Sequence, residues 1–252
     1  MKVLVLSVTA GQGHNTTGLG LMSYLEELGV ECTMLNTLKY ISPVVGTSLD
    51  KGYLYIGKLT PKMNALIYNS AEKNLARKNR TPSTDLYAPL LYKKLEKYIL
   101  KYDPDVVVCT HLLAAGIMNH AREKGKIRRI PIVGINTDFA IHPYWEDANP
   151  DYLVVASSQM LSQALKRGFD VRFVLPMGIP VHRRFGERTD KGRARELLGL
   201  EDKPTLLMIG GSMGFGHVEE GLRELRNLQG DYQILVICGS NKALKRRLDK
   251  EK

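Results

Sequence analysis

KVLVLSVTAGQGHNTTGLGLMSYLEELG, residues 2–29, decides the fold. It opens on the apolar run "KVLVLSV" and closes on the helical stretch "TGLGLMSYLEELG". A run apolar at nearly every position is buried on both faces, as strands are in a parallel sheet covered by helices on either side. Between run and helix lies "VTAGQGHNTTGLG" (8–20), with four glycines and the histidine His14. A strand, a glycine-rich turn and a helix form the first half of a β-α-β unit.

The same rhythm continues outward. "VECTMLN" (30–36), "DVVVCTH" (105–111), "IPIVGINTD" (130–138), "YLVVAS" (152–157) and "VRFVLPMG" (171–178) complete a set of six expected strands. With helices on both faces they predict an α/β, doubly wound parallel-sheet domain over residues 1–181. The second and third strands are separated by an insertion, about 39–103, far longer than a crossover needs. Within it Met63, Leu66, Ile67, Ser70, Ala71 and Leu75 share one helical face. Leu91, Leu95, Tyr98, Ile99 and Tyr102 share another, with "RTPST" (80–84) between them. After "MGIPV" (177–181) come a helix, the strand "PTLLMIGG", a helix, the strand "YQILVICG" and a last helix. These predict a second, partial Rossmann-like domain over residues 182–252, whose two strands leave apolar surface uncovered and favour self-association.

Composition narrows the function. No run approaches the ~20 apolar residues of a membrane span. "MKVLVLSV" is too short in its apolar part for a signal peptide and reads as a strand. Cys32, Cys109 and Cys238 lie far apart in apolar runs, the pattern of buried reduced thiols in a cytoplasmic protein. The six histidines show no zinc-ligand spacing, so no metal is expected. The net charge of +10 is concentrated: Lys39 to Lys101 holds twelve Lys/Arg against four Asp/Glu, with seven of the twelve tyrosines. Basic and amphipathic aromatic side chains together suit an anionic membrane surface, the underside of a solvated helix, or nucleic acid. No nucleic-acid-binding motif accompanies them, and nucleic acid is not an expected partner.

The opening turn is friendly to anions, because a helix N-terminus offers free N–H groups and glycine lets the backbone approach. It is neither familiar nucleotide motif. A dinucleotide fingerprint needs glycine at Thr16 and an acidic residue near Asn36; a P-loop needs lysine at Leu19. His14 would stand at the carboxyl end of the first strand, where doubly wound folds bind ligands, or would cap the loop. "INTDFAIHPYW" places Asp138 at another strand end, followed by His142 and Trp145. Two ionisable groups on neighbouring strand ends suit a general base with an electrostatic partner. "IGGSMGFGH" (209–217) and "CGSN" (238–241) are further glycine turns after strands.

"GQGHN", "NTDFAIHPYW", "MGIPV", "GGSMGFG" and "CGSN", in that order, resemble the diacylglycerol glycosyltransferases of glycosyltransferase family 28. These comprise the processive glucosyltransferases of Gram-positive bacteria and the plant galactolipid synthases, with the peptidoglycan lipid-linked GlcNAc transferase as a relative. "GHN" and "TDF…H…W" resemble the diacylglycerol branch more. The resemblance implies a two-domain GT-B fold. It implies an inverting hexosyltransferase without an essential metal or cofactor, with a UDP-hexose and diacylglycerol as co-substrates, peripheral on the cytoplasmic membrane face. A non-catalytic membrane-surface lipid-binding remnant, or a relative of the peptidoglycan-type lipid-linked GlcNAc transferase, is the alternative. The resemblance makes His14 and Asp138 the candidates for general base. It puts Gly11, Gln12, Gly13, Gly211, Ser212, Met213, Gly214, Cys238, Gly239 and Asn241 on the donor and its phosphates. His142 and Trp145 fall on the acceptor side. The first domain takes the acceptor and docks on the membrane through Lys58, Lys62, Lys73, Arg77, Lys78 and Arg80. The chain departs from the family in reading Ala10-Gly11-Gln12-Gly13 where a glycine run is common. The family also continues beyond "CGSN" with loops that grip uracil and ribose, so UDP affinity is expected to be weak or absent in this chain.

Overall fold

The computed structural model describes residues 1–9, 12–42, 83–212, 214 and 216–250. They form two units, Met1–Gly186 and Glu187–Lys252. In the first, strands β1 (Lys2–Ser7), β2 (Glu31–Asn36), β3 (Val106–Cys109), β4 (Ile132–Ile135), β5 (Tyr152–Val154) and β6 (Val174–Leu175) make one sheet. Its order is β2-β1-β3-β4-β5-β6, and every pairing is parallel.

Successive side chains of a strand point to opposite faces, and both faces are filled. Leu4, Leu6, Val107, Cys109, Ile132 and Leu153 enter one core, while Val3, Val5, Val108, Ile135 and Val154 enter the other. The second core is closed by Leu21, Met22 and Leu25 of helix α1 (Gly13–Glu27). A short helix α2 (Thr37–Ile41) follows β2, capped by the Asn36 carboxamide oxygen, which accepts the Lys39 N–H. The first core is closed by α3 (Ser83–Tyr102) and α4 (Leu112–Glu123). Leu95 and Ile99 of α3 are buried, with Leu91, Tyr98 and Tyr102 half-buried beside them, as the helical spacing predicts. Helix α4 buries Ala114, Ala115, Ile117, Met118 and Ala121, because the sheet and its neighbouring helices enclose it. Arg122 of α4 pairs with Asp151 at 2.5 Å, and the same carboxylate oxygen accepts the Ile132 N–H at 2.8 Å, tying α4 to β4. The expected helical face from Met63 to Leu75 lies outside the described residues.

The expected strands of the first unit are all shorter in the structure, most of all those at 130–138 and 171–178. Residues 171–173 form a 3₁₀ turn before β6, because the Asp170 carboxylate caps it by accepting the Arg172 N–H at 3.0 Å. Residues 136–138 leave the sheet after β4, where Asn136 donates from its side chain to the Asp138 carbonyl at 2.6 Å. Helices α5 (Trp145–Ala148) and α6 (Leu161–Lys166) complete the first unit.

The second unit pairs β7 (Thr205–Ile209) and β8 (Gln233–Ile237) in parallel. Around them lie α7 (Lys191–Leu198), α8 (Val218–Arg226) and α9 (Lys242–Leu248). Val218, Leu222 and Leu244 are buried, whereas Leu207 and Ile209 are more than half exposed.

Candidate active site

A parallel sheet directs every strand's carboxyl end to one edge, and at β1, β3 and β4 polar residues follow the apolar runs. The strand order reverses at β1, with β2 on one side and β3 on the other; that reversal opens a crevice. His14 stands there in the first turn of α1. The turn is braced from below. The Ser7 hydroxyl donates to the Asn15 carboxamide at 2.6 Å, Asn15 donates to the Thr9 hydroxyl at 3.1 Å, and Asn36 donates to the same hydroxyl. The N-cap residue of α1, Gln12, makes no side-chain cap, and a helix N-terminus offers first-turn N–H groups to an anion.

The His14 ring reaches over β3. Its Nδ1 lies 2.7 Å from the Thr110 carbonyl oxygen. A carbonyl only accepts, so Nδ1 carries the proton and the neutral ring presents a bare Nε2. The Thr137 hydroxyl, just past β4, lies 3.2 Å from the same Nδ1. Burial holds the His14 pKa below the usual histidine value; the Thr110 hydrogen bond and the charge of Asp138 oppose that shift. His14 is therefore neutral near pH 7, the form a general base requires. Asp138 is exposed, as is Phe139 beside it.

His111 meets His14 with ring centroids 4.6 Å apart and planes at 74°. Burial, helped by repulsion from His14 and His142, pushes its pKa down to about 3. His142 accepts the Tyr144 N–H at 3.2 Å through Nδ1. His14, Asp138 and His142 are thus brought to one strand edge together with His111, Thr110 and Thr137, which the sequence reading did not single out. The signal for them was present: each is a polar residue placed immediately after an apolar strand. Trp145 is only 3% exposed and lies over Gly134, where a Cβ would come within 2.6 Å of its ring. Among the described residues no group of His, Cys, Asp and Glu could hold a metal ion.

In the second unit the two glycine turns interlock at the carboxyl ends of β7 and β8. Ser240 donates its N–H to the Ser212 carbonyl at 2.9 Å, and the Asn241 side chain donates to the Gly214 carbonyl at 3.0 Å. A Cβ on Gly239 would meet the Gly211 carbonyl oxygen at 2.6 Å, and one on Gly214 would collide with the Cys238 carbonyl. Both positions also have positive φ, so glycine is required there twice over. Asn241 further caps α9, accepting the Leu244 N–H at 2.9 Å. Gln12 and Gly13 are exposed at the start of α1. Gly11, Met213, Lys58, Lys62, Lys73, Arg77, Lys78 and Arg80 lie outside the described residues.

A parallel sheet with helices on both faces, followed by a further β-α-β unit, is the arrangement of the GT-B glycosyltransferases. MurG of Acinetobacter baumannii superposes with a TM-score of 0.51 at 16% identity, covering 98% of this chain and 61% of that one, a likeness of fold alone. The family model for monogalactosyldiacylglycerol (MGDG) synthase matches residues 20–181, and the chain belongs to that family. It is 27% identical over 250 residues to the processive diacylglycerol beta-glucosyltransferase of Bacillus licheniformis, covering 98% of this chain and 63% of the relative. It is 27% identical over 261 residues to the probable chloroplastic monogalactosyldiacylglycerol synthase of Glycine max, covering 98% of this chain and 48% of the relative. The chain thus spans between about half and two thirds of the length of these relatives.

Proposed function

We propose that the protein is an inverting glycosyltransferase moving a hexose from a UDP-sugar to diacylglycerol at the cytoplasmic face of the membrane. His14 carries the reading. Its proton is committed to the Thr110 carbonyl through Nδ1, its ring is neutral, and Nε2 is left to accept. In this mechanism Nε2 takes the proton of the acceptor hydroxyl. The hydroxyl oxygen attacks the anomeric carbon on the face opposite the diphosphate, and the sugar–phosphate bond breaks with its electron pair leaving on UDP. Asp138 stabilises the imidazolium formed, consistent with its raising of the His14 pKa. First-turn N–H groups of α1, with Gln12 and Gly13, favour the diphosphate charge. In the second unit the turns carrying Gly211, Ser212, Gly214, Cys238, Gly239 and Asn241 contribute to donor binding. His142 serves the acceptor side, and Trp145 fixes the loop that carries it.

Membrane docking rests on charge. Lys93, Lys94, Lys97 and Lys101 of α3 are exposed, as are Lys124 and Lys126 beyond α4. A cavity of about 440 Å³ lined by Pro89, Tyr92, Lys93, His120, Lys124 and Lys126 lies between these helices. Among the described residues no helix is long and apolar enough to cross a membrane. This basic face also favours a second reading, a membrane-surface lipid binder that transfers nothing.

The test is lipid-product analysis with labelled UDP-glucose and UDP-galactose and dispersed diacylglycerol. His14→Ala should lower transfer by about 10²–10⁴-fold while leaving the far-UV spectrum unchanged. Transfer by His14→Ala at the parent rate would refute the assignment. Vesicle binding with no transfer from any UDP-hexose would establish the second reading.

A further inference from the structure

The geometry points to His111 as the positioning residue that holds His14 in its Nδ1–H form, with Nε2 turned to the crevice. The effect on turnover rests on the reading of His14 as base; the effect on the ring does not.

Two links join the residues. The first is through the backbone. The carbonyl that accepts the His14 proton belongs to Thr110, so it lies in the peptide plane that His111 begins. That plane is fixed on both sides. Thr110 donates its N–H to the Leu6 carbonyl at 3.0 Å, and His111 is the extended N-cap of α4 at φ −141° and ψ 137°. The cap is made by the imidazole: Nδ1 accepts the Leu113 N–H at 3.1 Å. The second link is the ring itself. Having been oriented by α4, it stands edge to face with His14 at 4.6 Å.

A neutral imidazole has two tautomers and can flip about χ2. In water the two forms interconvert freely, and only a fixed partner selects one. Thr110 holds the proton on Nδ1 only while the ring keeps its orientation, because a half turn about χ2 puts Cδ2 in place of Nδ1 at that carbonyl, and the Thr137 hydroxyl, 3.2 Å from Nδ1, can donate to a ring that has lost its proton there. The His111 ring, packed edge to face against His14 at 4.6 Å, is a ring contact that such a rotation disturbs. Titratable groups facing the pair are Asp138, acting on His14, and His142, acting on His111. His111 stays neutral throughout the working pH range, so it supports the base without competing for the proton.

Two variants separate ring from cap. His111→Asn keeps a side-chain acceptor for the Leu113 N–H, since Asn is among the best N-cap residues, and removes the wall. His111→Phe keeps a wall and loses the acceptor. The readout is the two-bond ¹H–¹⁵N spectrum of ¹⁵N-histidine-labelled protein, which reports the tautomer of each ring. Expected is a single Nδ1–H form of His14 in the parent and in His111→Phe, and a tautomer mixture in His111→Asn. The transfer rate of His111→Asn should fall about 10–100-fold with KM retained, the scale of a misplacement near 1 Å. An unchanged His14 spectrum in His111→Asn would overturn the inference, as would a mixture in His111→Phe. A tautomer shift in His111→Asn combined with parent-rate transfer by His14→Ala would remove the base assignment and leave the positioning intact.

Discussion

Gly20 is where the segment following β6 is seated on α1, and Gly20→Ala tests how that seat is made. The glycine lies in the middle of α1 and is buried. A Cβ there would stand 2.8 Å from the Val181 carbonyl carbon, 3.0 Å from the His182 nitrogen and 3.1 Å from the Pro180 oxygen. All three are backbone atoms, so no side chain can rotate away. Ordinary carbon contacts are about 3.5–4.0 Å, which asks the segment to lift by roughly 0.7–1 Å. Lifting it strains the Arg183 N–H to Ser23 hydroxyl bond of 3.2 Å and the Arg183–Glu27 ion pair of 3.4 Å. Two effects then oppose one another. Replacing a mid-helix glycine by alanine gains about 1 kcal/mol of helix propensity. Overpacking against rigid neighbours costs about 1–3 kcal/mol. Adding the two lost polar contacts, the net should be destabilising by about 1–2 kcal/mol, a fall in Tm of roughly 2–8 °C for a unit of this size. Thermal melting by calorimetry measures it, with Gly13→Ala as comparison, since nothing lies within 4 Å of a Cβ there. Faster proteolysis near Arg183 should accompany the change. A Gly20→Ala protein that melts at or above the parent would refute the seat, because helix propensity would then be the only effect.

The His111 ring should make stability pH-dependent. Its pKa falls from 6.5 unfolded to about 3 folded, so its contribution is complete above pH 6.5 and is lost as pH drops toward 3. The full shift corresponds to at most about 5 kcal/mol; urea melts at pH 7.0 and 4.5 should show a larger loss for the parent than for His111→Asn, and equal losses would contradict the assignment. Replacing Lys93, Lys97, Lys124 and Lys126 together by glutamine should weaken binding to anionic vesicles by about 10²–10³-fold at low salt, from about 1 kcal/mol per charge near the surface. Unchanged co-sedimentation with phosphatidylglycerol vesicles would place the docking face elsewhere.

The sheet was legible because burial on both faces writes itself into one residue run. A strand such as "KVLVLS" has no polar side to offer, so helices must cover it twice, and the parallel order follows from the helices between the runs. The family was legible for a related reason, since the motifs that resemble it are short turns at strand ends, which local sequence specifies. The strand ends were less so: at Asp138 and at Val171–Phe173 a side chain or carbonyl captures the hydrogen bond that a longer strand would need. Trp145 shows the same limit, because a lone tryptophan beside a candidate aspartate looks the same in sequence whether it faces a ligand or covers Gly134.

The residues around His14 belong to the tertiary structure. His14 meets a carbonyl 96 residues away and a hydroxyl 123 residues away. Sequence by itself determined that His14 would stand at the end of a first parallel strand, since strand, glycine turn and helix are local. Which neighbours it would have was decided by the order of the sheet. β3 lies beside β1 and β4 beyond it, and the pairing of Leu6 with Cys109 and of Cys109 with Gly134 carries Thr110 and Thr137 to the ring. That register is set by long-range pairing and packing, and it brings to Nδ1 a backbone carbonyl whose own residue type is immaterial.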